Sequence, residues 1–263
     1  VLVGLAALKL IESRKEETVR PFAAFTNSFA EIIFKLTSMI TSLTPYAVLA
    51  LMTNAVGRVD STAIAPFILI LVLNYVASAI HTFLSTGILV SAFAKVNPFA
   101  YFKKVWPVTM IGFTTQSSMG AIPANVENLT EEQGVSEEIA SFTAPLGATM
   151  GMPGCAGFWP VINAIFVANV MGLAWGPTEY AKLILVALLV SLGTVGVPGT
   201  ATITTTALFA AMGLPLEMVV LLAPISTLAD MGRTATNVTA ANSSALIVAA
   251  SENKLNREAF NRA

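Results

Sequence analysis

Charge is the scarcest property of this 263-residue chain: 11% of its residues are Asp, Glu, Lys or Arg, while 55% are apolar. A soluble domain carries about 25% charged residues. Water is therefore excluded as the main outer solvent, and lipid takes its place. A single cysteine, Cys155, excludes an internal disulfide and carries no compartment information. A single histidine, His81, leaves no Ser-His-Asp set. No Walker loop or metal-ligating cluster is present either, so neither enzyme chemistry nor a resident cofactor is expected. A net charge of −1 gives no bulk field that would attract nucleic acid. The chain opens at Val1 inside an apolar run, without a charged leader or cleavage site, so it does not read as a signal peptide. The expectation is a fragment of a longer protein, with residues 1–10 closing a helix that begins upstream.

What is present is a series of long apolar runs. A bilayer core needs roughly 20 apolar residues per helix. Residues 22–57 suffice, although Glu31, Lys35 and Pro45 interrupt them, and residues 62–94 suffice without interruption. The pattern then changes. Residues 99–129 split around Gln116-Ser117-Ser118-Met119-Gly120, and residues 138–174 are broken by Gly147, Gly151, Pro153, Gly154, Gly157 and Pro160. Residues 180–211 split at Gly193-Thr194-Val195-Gly196-Val197-Pro198-Gly199, and residues 216–250 are long with a polar middle. Irregular backbone at membrane depth is tolerated only where protein or a water-filled cavity surrounds it. Paired interrupted segments in corresponding positions point to a transporter binding site.

The fold expected is an all-α polytopic membrane protein: transmembrane helices plus two re-entrant helical hairpins in an inverted-repeat transporter core. Residues 1–57 hold the end of one helix, a cytoplasmic loop and the next helix. Residues 58–95 form a transmembrane helix. Residues 96–250 form the core: hairpin 1 over 99–129, a broken helix over 138–174, hairpin 2 over 180–211 and a last helix over 216–250. Residues 251–263 are a cytoplasmic tail. This layout puts Lys9, Arg14, Lys15, Arg20, Lys95, Lys103, Lys104, Lys254, Arg257 and Arg262 on one side, and Arg58 and Lys182 on the other. The basic side is cytoplasmic.

The strongest chemical signal is Asp230-x-x-Arg233-x-x-x-Asn237. At about 100° per residue these three share one helix face, together with Thr234 and Ala241. Charges within a membrane cost at least about 2.5–3.5 kcal/mol each. A self-satisfied i,i+3 ion pair is the plain alternative to a site. An Asp for an ammonium and an Arg for a carboxylate is what a zwitterionic ligand needs. At the hairpin tips, Ser117 and Ser118 supply hydroxyls and backbone N–H groups, and Gly196 and Gly199 permit close backbone approach. Glu31 and Lys35 read as a structural i,i+4 pair, and His81 as a satisfied or interfacial residue. The sequons at Asn128, Asn237 and Asn242 lie within the last span or on the cytoplasmic side, so none is expected to carry glycan.

Together, Gln116 to Pro123, Gly147-Ala148-Thr149, Gly193 to Gly199 and Asp230-Met231-Gly232-Arg233-Thr234-x-x-Asn237-Val238-Thr239 resemble the dicarboxylate/amino acid:cation symporter family, which includes glutamate and aspartate transporters. Gly151-Met152-Pro153-Gly154-Cys155-Ala156-Gly157 resembles that family's L-cystine uptake branch. The resemblance implies an elevator-type symporter of the cell membrane, homotrimeric as a full-length protein, with residues 1–57 in a static scaffold. It implies that Ser117 and Ser118 hold the substrate α-carboxylate with Asn237, that Asp230 takes the amino group, and that Arg233 takes a distal carboxylate. Cys155, Val197, Ala201 and Thr234 would line the substrate. Two family carboxylates for sodium are replaced, by Pro153 and Ala241. A site built mostly of backbone carbonyls persists at Thr149, Met152, Ser191, Leu192 and Thr194, so the coupling ion is Na⁺ or H⁺. The alternatives are the same fold carrying acidic amino acids or dicarboxylates, and a channel or pore.

Overall fold

The computed structural model describes residues 6, 9–13, 16–41, 46, 64–194, 196 and 199–262. The chain divides into two compact units, Val1–Asn54 and Ala55–Ala263. In the first unit, α1 (Glu16–Thr41) carries Pro21 and stacks Phe25 on Phe29 one turn away, with ring centroids 6.0 Å apart. The side chain of Glu31 lies outside the described residues, so its pairing with Lys35 does too.

Among its described residues the second unit is helical, apart from turns, short irregular stretches and one isolated bridge between Val135 and Leu255. Its first helix, α2 (Ile64–Ala79), continues through π-helical turns at Ile80–Ser85 and Val90–Ala94. Ala65–Ala94 and Pro153–Val170 are long and apolar enough to cross a bilayer. The outward side chains of α2, among them Ile68, Leu69, Val72, Leu73 and Val76, are exposed. An unbroken apolar face of that kind suits lipid rather than water.

Asn97 then caps α3 (Pro98–Thr115), accepting the Phe99 N–H at 2.9 Å, with Pro98 at the first helical position where no N–H is needed. Gln116 turns into the left-handed region and ends α3. After the tip come α4 (Ile122–Glu127) and a π-helical turn, Asn128–Glu132. The Asn128 amide donates to Lys104 O at 2.9 Å, tying the two arms together.

α5 (Glu137–Gly147) ends before an irregular stretch in which Met152, at φ −59° and ψ 102°, stands outside the helical region that a following proline disfavours. The chain resumes as a π-helical turn, Pro153–Phe158, and α6 (Trp159–Val170). A second hairpin follows, α7 (Pro177–Leu192) and α8 (Thr200–Met212). Val195, Val197 and Pro198 at its tip lie outside the described residues.

The last long helix, α9 (Glu217–Ser251), has 35 residues and a length of about 50 Å at 1.5 Å per residue. It joins two cores. Its first half packs with Ile70, Met152, Trp159, Val167, Leu208 and Phe209. Its second half packs with Val90, Tyr101, Val105, Leu129, Ala144 and Phe260.

The C-terminal stretch does not hang free. Phe260 on α10 (Arg257–Asn261) is buried in the second core. Arg257 donates to the Ala94 and Lys95 carbonyls at 3.0 and 3.3 Å, capping the end of the first long helix. Lys254 pairs with Glu138.

Between α9 and hairpin 1 lies a buried amide network. Gln133 Nε2 donates to Asn128 Oδ1 at 2.7 Å and to Asn242 Oδ1 at 2.9 Å, while Asn242 Nδ2 donates to Asn125 Oδ1 at 2.7 Å. An unpaired buried polar group costs about 1–3 kcal/mol. Asn242→Ala strips Asn125 Oδ1 of its donor, so it should lower stability by about 1–3 kcal/mol, read from thermal unfolding of the full-length protein in detergent. An unchanged melting temperature would show that the network holds nothing together.

Candidate functional site

The site grows from the middle of α9. Asp230 and Arg233 pair through Oδ1 and Nη2 at 3.1 Å. Arg233 is 1% exposed and the Asp230 side chain 20%. Arg233 runs back along its own helix, and Nη2 also donates to Ser226 O at 2.6 Å and Ser226 Oγ at 3.2 Å. Its guanidinium lies over the Trp159 ring, 4.2 Å from the centroid. A desolvated cation over an indole gains about 2 kcal/mol. Among the described residues, Nε and Nη1 of Arg233 are buried without a hydrogen-bond partner. The i,i+3 pair therefore forms, but it does not satisfy the arginine.

The broken helix crosses α9 at this point. A methyl added to Gly154 would lie 2.6 Å from Arg233 O and 2.8 Å from Arg233 Cα, so only glycine allows the backbones to meet this closely. The contact is productive: Gly154 N donates to Asn237 Oδ1 at 2.8 Å, and Asn237 Nδ2 donates to Cys155 Sγ at 3.2 Å. Cys155 Sγ approaches Asp230 Oδ1 at 3.7 Å, and Thr234 Oγ1 lies 3.5 Å from the same oxygen. Cys155, Asp230, Arg233, Thr234 and Asn237 thus form one connected group.

The second hairpin joins it through α8. Thr204 Oγ1 donates to Cys155 O at 2.6 Å, and both Thr204 and Thr205 donate to Ala201 O. Ala201 is buried there. Val197 lies outside the described residues. At the first hairpin tip, Ser117 Oγ accepts the Gly120 N–H at 2.9 Å and so shapes the turn. Ser118 is buried, but no hydrogen bond among the described residues ties it to Asp230, Arg233 or Asn237.

Thr149, Met152, Ser191 and Thr194 also converge. Gly151 N donates to Ser191 O at 3.0 Å, and Thr194 Oγ1 donates to Thr149 O at 3.1 Å and Ser191 O at 3.0 Å. Met152 is buried beside them, while the Leu192 side chain is exposed. Ala241 packs against Gly147, where an added methyl would sit 2.7 Å from the Ala241 Cβ. Among the described residues no group of His, Cys, Asp and Glu is arranged to hold a metal ion.

Sequence reasoning missed Trp159, Ser226 and Thr204. Ser226 was discoverable, since two turns of helix bring it onto the face of Arg233. Trp159 and Thr204 were not, because their roles come from helices crossing. The helix 64–94 carries a further signal: Asn74, Ser78, Thr82 and Thr86 recur every four residues and are all buried. Asn74 Nδ2 donates to Ala229 O at 3.2 Å, Tyr75 OH to Leu228 O at 2.9 Å, and Thr82 Oγ1 to Thr236 Oγ1 at 3.0 Å.

Removing one partner of a buried ion pair costs about 3–5 kcal/mol, because the other charge is left uncompensated. Asp230→Asn should lower the full-length protein's stability on that scale in thermal unfolding. Adding Arg233→Met should recover most of the loss. A double variant no more stable than Asp230→Asn would contradict the pairing.

The sodium:dicarboxylate symporter family matches residues 1–251. The L-cystine uptake protein TcyP of Bacillus cereus is 34% identical over 261 residues, covering 99% of this chain and 56% of that protein. TcyP of Bacillus licheniformis is 32% identical over 259 residues, 98% of this chain and 55% of the relative. An uncharacterized symporter of Haemophilus influenzae is 37% identical over 241 residues, 91% of this chain and 54% of the relative. The chain spans about half the length of these relatives. With the sequence matched to that family along nearly its whole length, the chain belongs to the sodium:dicarboxylate symporter family.

Proposed function

We propose that the full-length protein containing this chain is a secondary active symporter that imports an amino acid, L-cystine, across a bacterial cell membrane. The observation that carries the reading is the partly satisfied pair on α9. Asp230 presents a carboxylate that is a fifth exposed, and Arg233 keeps the Nε and Nη1 donors unpaired among the described residues. Such a pair can be divided by an amino acid that carries a second carboxylate: the ammonium goes to Asp230 and the distal carboxylate to arginine N–H groups. A dicarboxylate has no group for Asp230 and would be repelled by it. An acidic amino acid suits both charges and is the nearest alternative. The likeness to L-cystine uptake proteins favours cystine over it. A pore would line several helices with a continuous polar stripe, whereas here polarity gathers around one helix and the crossing at Gly154.

In this reading Ser117, Ser118 and Asn237 hold the near carboxylate, while Cys155, Val197, Ala201 and Thr234 line the ligand. The hairpins re-enter the membrane from opposite faces. Residues 58–250 carry the site across in an elevator movement against a trimeric scaffold that includes residues 1–57. The coupling ion is Na⁺ at the carbonyls of Thr149, Met152, Ser191, Leu192 and Thr194, or H⁺. Hard cations need several oxygen ligands and gain from negative charge. Pro153 and Ala241 offer none, and Ala241 packs directly on Gly147. Fewer cations are therefore coupled than in acidic-amino-acid relatives.

Uptake of labelled cystine by the full-length protein in liposomes, under separate Na⁺ and H⁺ gradients, tests this. Saturable uptake driven by one gradient is expected. Arg233→Ala should lose cystine by about 10-fold or more relative to a single-carboxylate analogue such as S-methylcysteine. Gradient-independent flux would indicate a pore, and an equal loss of both substrates would remove Arg233 from substrate recognition.

A further inference from the structure

Eight buried side-chain N and O atoms among the described residues lack a hydrogen-bond partner, and six belong to four residues: Asn74 Oδ1, Ser78 Oγ, Asn163 Nδ2 and Oδ1, and Arg233 Nε and Nη1. All four residues are at most 6% exposed. Asn74 and Ser78 lie on α2, Asn163 on α6 and Arg233 on α9, three elements that share one core. Asn74 reaches Ala229 O, one turn before Arg233. Ser78 lies one turn further along α2, with its Oγ 3.4 Å from where a methyl on Gly232 would stand. Asn163 is one turn beyond Trp159 on α6, and Trp159 carries the Arg233 guanidinium on its ring face. Ala164, Val167, Ile70 and Ala229 share one core around them.

The chemistry of this set is two-sided. Arg233 Nε–H, Nη1–H and the Asn163 amide N–H donate. Asn74 Oδ1, Asn163 Oδ1 and Ser78 Oγ accept. More than nine in ten buried polar groups in native proteins are paired, so a concentration of unpaired ones is a signal. Water alone could meet some of them. A carboxylate would meet the donors and leave the acceptors unmet. A group carrying both a carboxylate and an ammonium meets both.

We infer that this set of unpaired groups is a second subsite, which takes the far amino-acid head of a two-headed amino acid. Arg233 and the Asn163 amide hold its carboxylate, and Asn74, Ser78 and the Asn163 carbonyl oxygen hold its ammonium. Trp159 positions the guanidinium by stacking on it, which leaves the Nε–Nη1 edge free. The inference rests on the amino-acid reading above, with the near head at Asp230 and Asn237, and it makes selectivity a matter of the far head. Acidic amino acids end in a bare carboxylate and leave three acceptors unpaired.

Binding to the purified full-length protein, measured by calorimetry, tests it with cystine and cystathionine as two-headed ligands and S-methylcysteine and aspartate as single-headed ones. Asn163→Leu replaces an unpaired amide with an apolar side chain of similar size, so its melting temperature should equal or exceed that of the wild type. It should weaken cystine and cystathionine by about 10-fold or more and S-methylcysteine by less than about 2-fold. Ser78→Ala, which removes one unpaired hydroxyl, should shift the same ratio in the same direction. Equal weakening of all four ligands, or no change in any, assigns these groups to water and overturns the inference. Wild-type protein that binds S-methylcysteine as tightly as cystine does the same while sparing the amino-acid reading. Wild-type protein that binds none of the four overturns that reading instead.

Discussion

A guanidinium held in an apolar interior constrains everything around it. Arg233 is almost wholly buried, and its own helix supplies most of its partners: Asp230 one turn away, and the carbonyl and hydroxyl of Ser226 two turns away. Those three interactions all use Nη2. The flat face is met by Trp159. Burying an uncompensated charge would cost several kcal/mol even after relaxation. The crossing of the broken helix at Gly154 follows from the same need, since it brings Trp159 into place and sets Asn237 and Cys155 beside the carboxylate.

The same logic extends along α9. A long helix with a polar middle sits in an apolar unit only if most of its polar groups are met, and several elements meet them here. Thr82 reaches Thr236, Tyr101 reaches the Thr239 carbonyl, and Thr109 pairs with the Thr239 hydroxyl at 2.7 Å. Gln133 and Asn125 hold Asn242. Apolar packing alone is non-directional and would tolerate sliding of one helix past another. Side-chain hydrogen bonds at fixed heights on α9 do not. They set the depth at which the arms of the first hairpin stand against α9, and so place its tip relative to the ion pair.

The sequence made the architecture legible because backbone breaks leave compositional marks. Glycine and proline between apolar runs locate the ends of α3, α5 and α7, and the 3.6-residue period puts Asp230, Arg233 and Asn237 on one face. It could not show where Arg233 points, since a long flexible side chain can reach either way along its helix. Trp159 read as one more apolar residue, because its role depends on a crossing between segments about 75 residues apart. The last dozen residues read as a tail because they are short and charged. Phe260, Arg257 and Lys254 act through contacts with elements far earlier in the chain, for which a local pattern has no sign.

Charge accounting links the substrate to the ions. Asp230 and Arg233 sum to zero. A zwitterion with one head or two adds nothing to that sum, whereas an acidic amino acid adds a negative charge that would have to cross the bilayer. Carrying a net charge through a low-dielectric barrier is expensive, so an anionic substrate needs cations as counter-charges as well as an energy source. A neutral two-headed substrate needs them only for energy. Proline at 153 and alanine at 241 fit the neutral case, because each occupies a place where a family carboxylate would have called for a cation of its own. The carbonyls of the remaining candidate ion site are partly engaged already: Thr149 O accepts from the Thr194 hydroxyl, and Ser191 O from the Gly151 N–H and the Thr194 hydroxyl. For a neutral amino-acid substrate, a charge-balanced pair on α9 and few cation carboxylates would be two sides of one electrostatic condition.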